Sequence, residues 1–387
     1  MPSFTAGRHR TPRLTVVGIP GNRRLSLLQD AVLAAGLAPA REVGWLDVLR
    51  GRAAFGAGET VRIDSPGEDA EVDRLLRGTD DQTRVEGTGR WYERFTAAAR
   101  DLGRAATDAG AELLDDPDEL AVLFDKRLTH RELDQAGVPV PLSPTSGAAA
   151  PAVSGWDDVR ARMAGAGLRR AFVKIAHGSS ASGVLAVRIA GPGRVSAITS
   201  VELDGAGRLF NSLRVRRYTA EREVAAIIDT LAPDGLHIEQ WVSKGTQQGR
   251  AADLRVVVVA GRATHAVVRT SASPMTNLHL GGARGDLDAV RSTVDAAGGS
   301  FSTVLALCEA AAACFPATHC VGVDLMPEPG WLRYAVAEVN AFGDLLPGLG
   351  GLPEREAAGL DTYAAQLAAL PRRAGRAAAH RPCGDPV

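Results

Sequence analysis

Apolar and polar positions follow two periods along this chain, and the switches between them outline its elements. Arg13–Val17 is a β-rich run, followed by the turn Gly18-Ile-Pro-Gly-Asn22 and an apolar-periodic stretch from Leu25 to Ala35. Strand, glycine turn and helix in that order open an α/β layer. Val61–Ile63 predicts a further strand ending in Asp64-Ser-Pro-Gly67, and Arg90–Ala109 predicts a long helix stopped at Gly110. Residues 13–119 are therefore expected to form one N-terminal α/β domain. A further helix is predicted over Asp125–Ala136, ended by Gly137-Val-Pro-Val-Pro141.

Beyond a small-residue loop the pattern turns to strands, at Ala171–Ile175 and Val184–Ile189, then a hairpin at Ser196–Leu203 and Leu209–Arg216. A helix at Glu221–Leu231 separates these from strands at His237–Val242, Leu254–Ala260 and Ala263–Arg269. Phe301–Cys314 predicts an apolar helix, and Cys320–Met326 and Tyr334–Asn340 a strand pair across Pro327–Gly330. Residues 1–12 and 371–387 carry no such pattern and are expected to be disordered.

Composition narrows the functional classes. The chain has 387 residues, 45% of them hydrophobic, enough for two or three domains with real cores. Its formal charge of -1 gives no electrostatic case for nucleic acid or an anionic membrane as partner. The best apolar run, Val256–Ala260, is far below the ~18–20 residues of a membrane helix. The basic start, Met1–Arg13, has no apolar stretch behind it, unlike a secretory signal. The expectation is a soluble, cytoplasmic protein.

Two residue types sharpen this. Of 44 basic side chains only Lys126, Lys174 and Lys244 are lysine, and the other 41 are arginine. Where arginine has so largely displaced lysine, a retained lysine marks a position that needs a compact ammonium. The four cysteines form no C-x-x-C pair, so zinc is not expected, and four thiols suit a reducing compartment.

Four constellations carry chemistry. Residues 173–183, V-K-I-A-H-G-S-S-A-S-G, place Lys174 on a strand ahead of a loop of small residues. Such a loop exposes backbone N–H groups that can close over phosphate oxygens, with the lysine as a point charge. Asp324 lies on one strand, and Glu338 and Asn340 on the next, two apart and so on one face. Two carboxylates and an amide oxygen are hard ligands suited to Mg²⁺ shared with phosphates. Asp253 and Arg255 share a face, with Arg269 on the adjacent strand, where a carboxylate could hold a ribose diol and a guanidinium reach phosphate. Finally, I-E-Q-W-V, residues 238–242, could read an adenine edge, with Glu239 accepting from its amino group. The turn Gly18–Asn22 lacks the full G-x-G-x-x-G spacing, and no G-x-x-x-x-G-K-[ST] occurs.

Taken in order, F-D-K-R-L-T, G-V-P-V-P, F-V-K, H-G-S-S-A-S-G-V, I-E-Q-W-V, D-L-R-V-V-V-V, V-V-R, T-N-L-H-L-G-G, G-V-D-L and E-V-N resemble the ATP-grasp superfamily, from about Leu123 to Leu349. The nearest likeness is to its glutathione synthetase and ribosomal-protein glutamate ligase branch. The resemblance implies an α/β (α+β) ATP-grasp fold preceded by an N-terminal Rossmann-like pre-ATP-grasp domain. It divides the chain into a central lid subdomain, 120–236, and a C-terminal subdomain, 237–370. It assigns Lys126 and Lys174 to ATP, and Gly178, Ser179, Ser180 and Gly183 to the phosphate loop. Glu239, Gln240 and Val242 fall at the adenine hinge, and Asp253 at the ribose. Arg255, Arg269 and Asn277 fall near the γ-phosphate and acyl phosphate, and Asp324, Glu338 and Asn340 hold Mg²⁺, with Mn²⁺ as a substitute.

The implied activity is ATP-dependent carboxylate–amine ligation on a small molecule or peptide, with room for a homodimer. A small-molecule kinase on the same fold, with the arginine-rich hairpin 194–217 holding a phosphorylated substrate, is the alternative, and a non-catalytic nucleotide-binding scaffold the third. Asp64–Gly67, Arg214, Arg216 and Asp344 are further candidates for the substrate surface. The likeness is not complete: Ile175 follows the lysine strand where proline is usual, Lys244 matches no family role, and A-F-G-D-L-L-P-G-L after Asn340 differs from the glutathione synthetase ending.

Overall fold

The computed structural model describes residues 12–178, 182–191 and 193–370. The expectations for 1–11, 371–387, Ser179 and Ser180 lie outside these residues.

The first domain contains β1 (Arg13–Gly18), α1 (Arg23–Ala34), β2 (Arg41–Gly44), α2 (Trp45–Leu49), β3 (Glu59–Ile63), α3 (Ala70–Arg77), α4 (Thr88–Asp108), β4 (Glu112–Leu113) and α5 (Pro117–Leu123). Its strands form a parallel sheet of order β2-β1-β3-β4. Asn22 starts α1 by accepting from Leu25 N at 2.9 Å, which satisfies one of the free N–H groups of the first turn. Of the elements missed by periodicity here, β2, α2 and β4 are five residues or fewer and too short to show a period, while α3 and α5 are eight and seven residues long.

The middle of the chain contributes α6 (Lys126–Gln135), α7 (Trp156–Gly165), β5 (Arg170–Ile175), β6 (Val184–Ile189), β7 (Val195–Leu203), β8 (Leu209–Tyr218), α8 (Glu221–Leu231) and β9 (Leu236–Gln240). The strands form an antiparallel sheet of order β8-β7-β6-β5-β9, with a core of its own that includes Trp156, Met163, Leu185 and Ile228.

The last part contains β10 (Thr246–Gln247), β11 (Arg250–Val259), β12 (Arg262–Ser271), β13 (Ala283–Arg284), α9 (Leu287–Ala296), α10 (Phe301–Ala313), β14 (Cys320–Pro327), β15 (Tyr334–Ala341) and α11 (Thr362–Ala368). Its sheet has the order β13-β12-β11-β14-β15, and β10 pairs with β11. The unbroken run Val256–Val259 is buried on both faces because β11 is central. Val256 and Val258 pack in the main core with Val304 and Cys308 of α10, and Val257 and Val259 with Leu346 and Ala369.

Two expected boundaries shift. The strand Leu236–Gln240 pairs with β5, so it closes the middle sheet rather than opening the last subdomain. Conversely, Leu133 of α6 packs with the core shared by the first and last domains, not with the lid core. Both shifts have one cause: a strand belongs where its hydrogen bonds close, and a helix where its apolar stripe is covered. Among the described residues no single helix is long and apolar enough to cross a membrane.

Candidate active site

The cleft lies between the middle and last sheets. Asp125 caps α6, accepting from Arg127 N at 2.9 Å, so Lys126 is the first helical residue. From there its Nζ donates to the Gly178 carbonyl at 2.8 Å and bonds the Glu338 carboxylate on β15. Residues 52 and 212 positions away in sequence thus meet at one ammonium.

Lys174 sits on β5 opposite His237 of β9, on the strand face that also carries Phe172 and Glu239. Its ammonium pairs with Glu239, which is 2% exposed. Burial opposes the charge on Glu239, yet Lys174 and His237 bring its carboxyl down to about 2. Burial also opposes the charge on Lys174, and Glu239 and Glu338 together raise its pKa above the usual lysine range.

The third lysine completes the pattern. Lys244 Nζ donates to Asp253 at 3.0 Å and to the Thr276 hydroxyl at 2.7 Å. All three lysines of the chain therefore contact a carboxylate of this cleft. Lysine scarcity had pointed to Lys244, although no motif gave it a role.

The register of the last sheet builds the remainder. Asp253 stands opposite Arg269, Arg255 opposite Asp324, and Asp324 opposite Glu338. Arg255 grips Asp324 through Nε at 2.5 Å and Nη2 at 3.0 Å, and reaches Asp344 at 3.0 Å. Arg269 bridges Asp253 at 2.8 Å and Asp324 at 3.0 Å. Burial works against the Asp324 charge, but the two guanidiniums more than offset it and hold the carboxyl below its ordinary value.

Several expected roles differ from what these side chains do here. Glu239 is spent on Lys174 and His237 rather than open to an adenine amino group. At the hinge, Gln240 N donates to Leu142 O at 2.8 Å and Val242 N to Gln240 O at 3.0 Å. Asp253 is enclosed by Arg269, Lys244 and Thr276 instead of facing a diol. Asn277 caps a turn, accepting from His279 N at 2.8 Å. For Glu239 and Asp253 the reason is the same: a buried carboxylate takes the donors that the fold brings to it. Asp64 is fully buried under Arg24 and Arg62 and is not an open substrate contact, whereas Arg216 pairs with Glu202 at 2.5 Å on a partly exposed stretch of the hairpin.

The glycines at the loop ends have a packing reason. A Cβ on Gly178 would lie 2.5 Å from the Ile175 side chain, and one on Gly183, at φ +63°, 2.8 Å from it. Ile175, standing where proline was usual, fills the space that both glycines leave.

Asp324, Glu338 and Asn340 carry oxygen donors of the kind a hard cation takes, with Asp324 held by Arg255 and Arg269. The Asn340 amide donates Nδ2 to the Gly322 carbonyl at 3.2 Å, which leaves its oxygen for another partner, and the Lys126 ammonium already places a positive charge on Glu338. Among the described residues no three His, Cys, Asp or Glu side chains are grouped to hold an ion by themselves.

No family model matches the chain, and no curated protein matches it in sequence. Solved structures do. The ATP-grasp ligase PsnB, complexed with a minimal precursor, superposes over 94% of this chain and 100% of its own, with a TM-score of 0.53 and 16% identity. The same ligase with a phosphomimetic variant of its minimal precursor, Mg and ADP gives a TM-score of 0.52 at 16% identity, over 94% of this chain and 99% of that one.

The chain has the ATP-grasp fold. Within that fold the cleft between the two antiparallel sheets is the place where the three lysines and the carboxylates of β11, β14 and β15 converge.

Proposed function

We propose that this protein is an ATP-dependent ligase that activates a carboxylate as an acyl phosphate, passes it to an amine, and releases ADP and phosphate. The observation that carries this reading is the Lys126 ammonium, which touches both the Gly178 carbonyl at the base of the glycine loop and Glu338 on β15. A point charge there can follow a polyphosphate from the loop to the metal-binding strand. The PsnB structure that contains Mg and ADP supports the same ligand set, at a TM-score of 0.51 and 16% identity, over 94% of this chain and 98% of that one.

In this reading Lys126 and Lys174 bind phosphate oxygens, and the Gly178–Gly183 loop covers them. Asp324, Glu338 and Asn340 would hold Mg²⁺, with Mn²⁺ as a substitute. The metal, when bound, supplies charge neutralisation on the transferring phosphoryl group. A carboxylate oxygen of the substrate attacks the γ-phosphorus and ADP leaves. The amine then attacks the acyl carbon, loses its proton, and phosphate departs. Arg255 and Arg269 stabilise charge on the acyl phosphate, and no side chain becomes covalently modified. The acid is a small molecule or peptide, and neither nucleic acid nor membrane takes part.

The test is ADP release in the presence of Mg²⁺, with and without candidate acids and amines. Release that requires both, with a new amide in the product, supports ligation. Release with a hydroxyl acceptor and no amine identifies a kinase. Nucleotide binding without release identifies a scaffold.

A further inference from the structure

The loop that leaves β5 is braced on one side by the first domain. The His177 ring stacks on Tyr92 of α4, with centroids 3.9 Å apart and planes at 13°. The ring's Nδ1 donates to the Phe124 carbonyl at 3.1 Å, and the Tyr92 hydroxyl to Ala121 O at 2.9 Å. Burial lowers the His177 pKa, against the pull of Asp125, which suits a neutral imidazole with that one donor.

The residues on either side of His177 are held as well. Ala176 donates to Gly235 O at 2.9 Å and accepts from Lys126 N at 3.0 Å, and Gly178 O accepts from Lys126 Nζ. Next to Gly235, the Asp234 carboxylate accepts from Gly87 N at 2.7 Å and Gly89 N at 3.0 Å, at the start of the same α4. Helix α4 is fixed in turn: Trp91 and Phe95 stack with each other at 4.9 Å, and Phe124 lies 4.6 Å from Phe95. A closed circuit therefore runs from α4 through Asp234 and Gly235 to Ala176, and back through His177 to Tyr92.

We propose that Tyr92 and His177 are positioning residues for the phosphate end of the cleft: the first domain, through their stacked rings, sets where the stem of the glycine loop stands. This rests on the ATP reading of the cleft given above. Backbone donors that must meet phosphate oxygens work only when held within a fraction of an ångström, so a loop of small residues needs its stem fixed from outside. Neither residue touches the nucleotide in this proposal. They act through Ala176 and Gly178.

The experiment compares Tyr92→Ala, Tyr92→Phe and His177→Phe with the wild type in the full chain, using ATP with Mg²⁺. Tyr92→Ala should raise the KM for ATP about tenfold with kcat changed less than about twofold, because the loop must be ordered at each binding event. Amide exchange at residues 176–178 should quicken. Tyr92→Phe keeps the stack and should stay near wild type, and His177→Phe, which keeps the stack but loses the bond to Phe124, should fall between. If Tyr92→Ala folds and its KM and exchange match wild type, the proposal is overturned. It also falls if Tyr92→Phe is as impaired as Tyr92→Ala, since the hydroxyl and not the stack then matters. If Tyr92→Ala does not fold, the His177→Phe and Tyr92→Phe values decide by the same ranking. Wild-type binding of a fluorescent ATP analogue separates the two levels. No binding overturns the ATP reading and this proposal together, whereas binding with no effect of the variants overturns this proposal alone.

Discussion

Two buried aspartates in this molecule are each clamped by two arginines, and they do different work. Asp64, in the first domain, is fully buried. Arg24 reaches it at 2.6 Å and Arg62 at 3.3 Å, and Ser65 N donates to it at 2.7 Å. Arg24 also donates to the Phe342 carbonyl and Arg62 to Gln366. Every bond in this cluster closes on protein, and it ties the first domain to the segment after β15. Asp324 is also held by two arginines, Arg255 and Arg269, but sits at the floor of the cleft. Its cluster continues to Glu338 and Asp344, whose side chains are 28% and 36% exposed. The same ion-pair motif is sealed on protein in the first domain and left open on one side at the cleft, where we propose that it binds ligand. In the sealed case the charges can only lose by rearranging. In the open one an incoming polyanion and cation can replace the partners they displace.

That contrast can be broken by experiment. The largest effect should come from the open cluster. Glu338→Gln should lower ADP release about 10³-fold, with a melting temperature within about 2 °C of wild type, because the pair it removes is partly exposed and weak in stability terms. Wild-type turnover in this variant would remove Glu338 from the site.

The sealed cluster should respond in the opposite way. Asp64→Asn strands two buried guanidiniums and should cost about 3–5 kcal/mol in urea unfolding, with turnover per folded molecule close to wild type. A selective loss of turnover would place this cluster in the active site and dissolve the distinction.

Lys174→Arg sharpens the comparison within the cleft. It keeps the charge but puts a planar fork in a space shaped for a point charge, and should reduce turnover about 10²-fold. Full activity would mean that lysine scarcity is no guide to the chemistry.

The smallest effect concerns pH. The Glu239 carboxyl is held at about 2 against an ordinary 4.5. A depressed carboxyl pKa contributes stability that is present above 4.5 and is lost as the pH falls from there toward 2. Glu239→Gln should be less stable at neutral pH and show a shallower loss over that window, as read by thermal unfolding at a series of pH values. An identical acid slope in both proteins would mean that the Lys174 pair does not govern it.

Much of this was legible in the chain because it is local. Strand and helix periods placed the hairpin of Asp324 and Glu338, the face shared by Asp253 and Arg255, and the lysine strand ahead of its glycine loop. An alternation of two positions orients a side chain whatever the partner strand is. Lysine scarcity singled out three positions, and all three lie in the cleft. The occupants of each carboxylate were not legible. Nothing near Glu239 in sequence says that Lys174, 65 positions earlier, takes its charge, and nothing near Asp253 announces Lys244 and Thr276 as partners.

What the sequence by itself determined is the order of elements, the faces of the strands and the kinds of chemical group those faces carry, since backbone geometry and side-chain type act over a few residues. What only the tertiary structure decided is pairing. It moved Leu236–Gln240 into the middle sheet, turned Asp64 into a sealed tie and Asp324 into an open floor, and stacked Tyr92 of the first domain on His177 at the stem of the loop. These depend on which surfaces meet across tens to hundreds of residues, where burial and Coulomb attraction act between groups that the linear chain keeps apart.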